Sequence, residues 1–99
     1  MNWFSAKLIF VTEMRNAEDD DPLREESIRV FRAVDEQGAI DRAASVGKSA
    51  EHEYLNEQGE TVRWTFLRVD EVQDLCEETL EDGMEVFSRI THAVSDSLA

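Results

Sequence analysis

The stretch Glu51-His52-Glu53-Tyr54 gathers a histidine, two carboxylates and a phenol into four consecutive positions. These are the side chains of metal sites and of acid–base chemistry. Their spacing argues against both. On a strand, Glu51 and Glu53 point one way while His52 and Tyr54 point the other, so the histidine and the carboxylates do not converge on one ion. The second histidine, His92, lies near the far end of the chain, and a His52–His92 pair requires their two strands to be neighbours. Ser5, Ser27 and Ser88 lack a G-x-S-x-G setting. Gly38, Gly47, Gly59 and Gly83 are too scattered to form a phosphate loop. Among 23 acidic residues no pair of carboxylates stands out. These patterns lead us to expect no catalytic residue, no metal and no cofactor.

A second constellation is more suggestive. Lys7, Arg29, Arg63 and Arg89 fall at strand spacing among Trp3, Ser5, Phe31, Leu67 and Phe87. Cations interleaved with large apolar groups suit either an interface rimmed by arginine or a shallow site for a small anion or acidic peptide. The bland alternative is a solvated face on which long basic stems cover apolar groups. Which of these applies depends on whether the elements bring the residues to one side.

The first strand is expected over about Asn2–Thr12, with Phe4, Ala6, Leu8 and Phe10 alternating against Trp3, Ser5, Lys7 and Ile9. The acidic run Glu18-Asp19-Asp20-Asp21, closed by Pro22, reads as a mobile, solvated loop without the spacing of a calcium loop. A second strand follows over Glu26–Asp35, rich in β-branched and aromatic residues. Asp35 then caps a helix running to about Val46, whose stripe is Ala39, Ile40, Ala43, Ala44 and Val46. Gly47 is the expected left-handed cap, with Lys48 complementing the helix dipole. A hairpin joins Glu51–Asn56 to Glu60–Val69 through Glu57-Gln58-Gly59.

After Arg68 the phase becomes ambiguous. Val69, Val72, Leu75 and Cys76 fit either a bulged strand or a helix, and we expect strand to about Val72, then irregular chain. A last strand is expected in Met84–Ala93. The fold class is therefore α+β: one antiparallel sheet of about five strands, in the order β-β-α-β-β-β, with one helix packed on one face. Residues 1–92 form a single domain and 93–99 a frayed tail.

With Phe4, Ala6, Leu8, Phe10, Ile28, Val30, Val62, Trp64, Phe66, Val86 and Ile90 placed under the helix, the opposite face carries the remainder. Its candidate ligand or interface residues are Trp3, Ser5, Lys7, Arg29, Phe31, Arg63, Leu67, Phe87 and Arg89.

The net charge of −13 repels nucleic-acid phosphates and anionic membrane surfaces, so neither is an expected partner. No apolar run approaches the ~20 residues that span a bilayer. The beginning of the chain lacks the basic leader and small-residue cleavage site of a signal peptide. Cys76 is the lone cysteine, which fits a reducing cytoplasm.

The blocks WFSAKLIF, EESIRVFRA, GKSAEHEYLNEQGETVRWTFLRVDEVQDL and DGMEVFSRI resemble a small, mostly bacterial family known as domain of unknown function 4288. The shared pattern is W-[FY]-S-A-K, E-x-E-Y-x-N-x-x-G-E-x-V-x-W-x-F and D-G-x-E-V-[FY]-S-R, and it reaches to about Ile90. The acidic insertion Glu18–Pro22 departs from it. The resemblance implies a stand-alone cytoplasmic protein and carries over no catalytic residues. It directs attention to the matching polar positions Ser5, Lys7, Glu26, His52, Tyr54, Asn56, Arg63, Ser88 and Arg89, as a site or as a structural network.

The expected function is that of a non-enzymatic interaction protein, a homodimer or a binder of a protein partner, acting through the sheet face opposite the helix. The alternative is a small anionic-ligand binding domain or minimal enzyme that uses Lys7, Arg29, Arg63 and Arg89.

Overall fold

The computed structural model describes residues 1–15 and 22–93. The acidic run at 18–21 and the tail at 94–99 lie outside the described residues. Four strands and one helix follow in chain order: β1 (Asn2–Arg15), β2 (Arg24–Ala33), α1 (Glu36–Ser49), β3 (His52–Leu55) and β4 (Thr61–Asp74). All pairings are antiparallel, in the order β2-β1-β4-β3. The α+β class with a single helix on a single sheet is as expected. The sheet has four strands among the described residues rather than five. Residues 84–93, expected as a last strand, run as irregular chain.

β1 is the central strand, flanked by both long neighbours, and this explains its burial on both faces. Phe4, Ala6, Leu8 and Phe10 face α1 together with Phe31, Trp64, Phe66, Val69 and Val72. Phe10 and Phe66 meet edge to face, centroids 5.8 Å apart. On the helix, Ala39, Ala43 and Gly47 are the buried residues. Spaced four apart, they form one ridge of minimal side chains, which lets the helix axis approach the sheet closely.

The Asp35 carboxylate accepts from the Gly38 amide at 2.8 Å and closes the first turn, as expected. Gly47 is not the cap. The helix continues to Ser49, and Ala50 ends it in ordinary right-handed geometry, its amide donating to the Val46 carbonyl. Gly47 is glycine for lack of space, since a methyl there would overlap the Phe66 ring.

The ambiguous phase beyond Arg68 has a specific cause. The β1–β4 register shifts twice, between Lys7 and Leu8 and between Ile9 and Phe10. Lys7 pairs with Glu71 and Leu8 with Val69, and Ile9 pairs with Arg68 and Phe10 with Phe66. Asp70 and Leu67 are therefore the extra residues of two bulges. Each bulge resets the alternation, so Phe66, Val69 and Val72 all face the helix at a spacing of three. That spacing imitates a helical stripe. The extra residues also bend β4 and curl the sheet around α1. No helix among the described residues is long and apolar enough to cross a membrane.

Candidate functional site

Strand phase decides which of the candidate residues share a surface. The β1–β2 register sets Phe4 opposite Phe31 and Ala6 opposite Arg29. Residues directly opposite one another share a face, so Phe31 and Arg29 belong to the helix side and Ile28 and Val30 to the other. This reverses the expected phase of β2. Phe31 and Ala33 are buried beneath α1, whereas Arg29 and Glu25 are exposed. The sequence of β2 is apolar on both faces at one end, and no alternation within it marks which face the helix takes. Val86 and Ile90, placed under the helix by the same reasoning, are exposed; Ile90 is 99% accessible.

The face away from the helix carries Trp3, Ser5, Lys7, Ile9, Thr65 and Arg63, and residues 84–90 pass over its centre. The Phe87 ring sits on the Lys7 ammonium, 4.6 Å from centroid to Nζ. Gln73 donates to the Ser88 carbonyl at 2.9 Å, and Arg89 pairs with Glu71 at 3.2 Å. Lys7 is 2% accessible and Ser5 and Ile9 are fully buried. Lys7 lies 3.9 Å from Glu26 and 3.8 Å from Glu71. A buried ammonium is tolerated only with such compensation, from carboxylates at its rim and from a ring presenting its negative face.

Lys7 and Arg89 therefore share Glu71, while Arg63 lies further along β4 and pairs with Glu53 at 3.6 Å. Arg29 is on the other side. The four cations do not meet at one surface. Leu67, a bulge residue, is exposed at the sheet's margin, and Trp3 sits under the Arg32 guanidinium at 5.9 Å.

The Ser5 hydroxyl is buried and has no hydrogen-bond partner among the described residues. Removing it discards a desolvated group that gains nothing in return. Ser5→Ala is expected to leave stability unchanged or raise it by up to about 1 kcal/mol, read as the midpoint of urea unfolding.

A model of the family described as domain of unknown function (DUF4288) matches residues 3–88. The chain belongs to that family. It matches no curated protein and no solved structure. The geometry explains much of the family pattern as architecture. In E-x-E-Y, the first position is Glu51, whose carboxylate accepts from the Phe66 amide at 2.8 Å, just beyond the end of β3. In N-x-x-G-E, the Asn56 side chain accepts from the amides of Gln58 and Glu60 at 3.0 and 2.9 Å and donates to the Glu60 carboxylate. Gly59 takes the positive φ of 76° that the turn requires. The W-[FY]-S-A-K block and the D-G-x-E-V-[FY]-S-R block are the two halves of the Lys7–Phe87 contact.

The available surfaces lie elsewhere, and of the residues singled out by spacing they include Arg29 and His52. One is the outer edge of β2. Thr12 donates its amide to the Leu23 carbonyl. The alternation of an antiparallel ladder then turns odd-numbered residues of β2 toward β1 and leaves the backbone groups of Arg24, Glu26, Ile28, Val30 and Arg32 facing outward. Among the described residues nothing pairs with them. The edge has no bulge, no proline and no lysine along ten residues, so among the described residues its only guard against pairing is a set of charged side chains of both signs. On the opposite side β3 is only four residues long and pairs with Thr61–Trp64, and the rest of that edge is the part of β4 that carries the two bulges. The other surface is a cavity on the helix side, beside the end of α1.

Proposed function

We propose that this protein is an interaction module that self-associates by pairing β2 with β2 of a second copy. The observation that carries this reading is the open edge, whose charges of both signs can complement those of a second copy. Glu25 and Glu26 follow Arg24 at the start of the strand, and Arg29 and Arg32 lie toward its end. Antiparallel pairing about a two-fold axis sets one end against the other.

The axis must pass perpendicular to the sheet, so matching faces are preserved only when the axis falls on a residue. On Ile28 it opposes Arg24 to Arg32, which is repulsive. On Ser27 it opposes Glu25 to Arg29. On Arg29 it opposes Glu26 to Arg32 and Ile28 to Val30, each pair occurring twice. The last register is the one we favour. It covers Ile28, which is 43% accessible, and satisfies the outward backbone groups of all four residues. Its cost is Arg29 opposite its own copy, a like-charge contact that exposed side chains can avoid, worth no more than about 1 kcal/mol. Covering Ile28 and Val30 contributes more, up to roughly 1.5–3 kcal/mol per fully buried side chain.

The reading differs in place from a docking surface at the centre of the sheet face, which the segment 84–90 covers. It keeps the acidic character of the module away from the contact, because the edge itself carries both signs.

Val30→Pro tests it. The Val30 amide faces outward, so the substitution removes no bond of the β1–β2 ladder yet blocks the pairing of a second strand. Light scattering at millimolar protein is expected to give twice the chain mass for wild type and the chain mass for Val30→Pro and for Arg32→Glu, with unchanged circular dichroism. A wild-type protein that stays monomeric at millimolar concentration overturns the proposal. So does a dimer that survives both substitutions.

A further inference from the structure

We propose that the cavity beside the end of α1 binds a small zwitterion of the α-amino-acid type. The cavity measures about 260 Å³ and is lined by Phe10, Glu25, Arg29, Ala50, His52 and Trp64. At ~30 Å³ per water it holds the volume of roughly eight or nine waters, the size of a small metabolite rather than a nucleotide. The buried Phe10 ring closes the back of the cavity, and the half-buried Trp64 supplies its accessible aromatic wall.

The polar lining selects the ligand. Arg29 and Glu25 stand four residues apart on the same face of β2. Arg29 donates its Nε to the Ser27 hydroxyl at 3.1 Å, which fixes the guanidinium and leaves its terminal nitrogens to receive a carboxylate. Neither Arg29 nor Glu25 forms an ion pair among the described residues. The Glu25 carboxylate offers a site for an ammonium. His52 Nδ1 lies 3.1 Å from the Ala50 carbonyl. A carbonyl only accepts, so Nδ1 carries the proton, and Nε2 is left as an acceptor when the ring is neutral. The carboxyl end of α1, at Ala50, adds a partial negative charge that also favours the ammonium.

One cation and one anion thus face a cavity with an apolar floor. A simple anion would meet Glu25 and the field of a chain of net charge −13. A simple cation would meet Arg29. A molecule that carries both charges on one carbon and an apolar side chain satisfies both ends and covers Trp64.

The probe is L-leucine at millimolar concentration, with 4-methylpentanoate and 3-methylbutylamine as analogues lacking the amine and the carboxylate. Saturable shifts of the His52 and Trp64 ring signals in NMR are expected with L-leucine. Each analogue is expected to bind at least tenfold more weakly, as is L-leucine to Arg29→Ala or Glu25→Ala. L-leucine binding should persist in monomeric Val30→Pro, which separates this site from self-association. The absence of saturable shifts with both L-leucine and L-phenylalanine overturns the proposal, as does equal binding of the three probes or unchanged binding by both variants.

Discussion

Gly47→Ala lowers the stability of the fold by about 1–2 kcal/mol, and Gly47→Val by about 3 kcal/mol. The direction is opposite to the usual one. Within a helix, alanine in place of glycine ordinarily stabilises by roughly 1 kcal/mol, because it restricts the unfolded chain. Here the added methyl would overlap the ring of Phe66, which is held edge-on against Phe10. Either the ring leaves its position or the helix lifts from the sheet, and both loosen the contacts of Ala39 and Ala43 on the same ridge. Overpacking therefore outweighs propensity. Urea unfolding measures the loss, and a Phe66→Leu background, with its smaller side chain, is expected to remove most of it. Stabilisation by Gly47→Ala would show that the helix does not sit on this ring.

The larger effect concerns Lys7. Replacing Glu26 and Glu71 together by glutamine is expected to cost about 3–5 kcal/mol, the usual consequence of stranding a buried charge. Each single substitution should cost far less, because the other carboxylate and the Phe87 ring continue to hold the ammonium. The two effects are non-additive since they act on one charge. Glu26 is exposed and Glu71 half-buried, both far more accessible than Lys7, so most of the penalty belongs to Lys7. Lys7→Met in the double-glutamine background should accordingly restore most of the stability, an apolar stem of similar length replacing the charged one. Failure of that rescue would mean that the carboxylates support the segment 84–90 directly, through Arg89, rather than through Lys7.

The same residues show what was legible in the sequence. The helix start at Asp35, the hairpin turn at Asn56–Glu60 and the alternation of β1 follow from local chemistry, and all are where local rules place them. The bulges at Leu67 and Asp70 are not local: they depend on β1 as partner, and they turned a strand's alternation into the three-residue spacing of Phe66, Val69 and Val72. Gly47 was misread because a glycine at the end of an apolar stripe looks the same whether it caps a helix or fits beneath a ring.

The phase of β2 failed for a related reason. Both faces of the strand carry apolar groups, and only its register with β1, which sets Phe31 opposite Phe4, determines which of them is core. The expected phase puts Arg29 and Trp64 on opposite faces, whereas they line one cavity with Glu25 and His52. The alternation of residues 84–93 points to a strand, but the segment is held by Phe87 on Lys7, by Gln73 donating to the Ser88 carbonyl and by Arg89 on Glu71, without a sheet partner among the described residues. The edge of β2 carries a signal legible in the sequence: a strand without proline or lysine, with Glu25 and Glu26 in its first half and Arg29 and Arg32 in its second.

Amide hydrogen exchange along β2, followed residue by residue at millimolar protein, bears most directly on self-association. The amides of Ser27, Arg29 and Phe31 donate to β1 and are slow in any state of the protein. Those of Glu26, Ile28, Val30 and Arg32 face outward. Paired edges should make these four slow as well, and they should become fast on dilution and in Arg32→Glu. Alternate fast and slow amides along β2 at millimolar concentration, unchanged by dilution, would contradict the pairing of two copies at this edge.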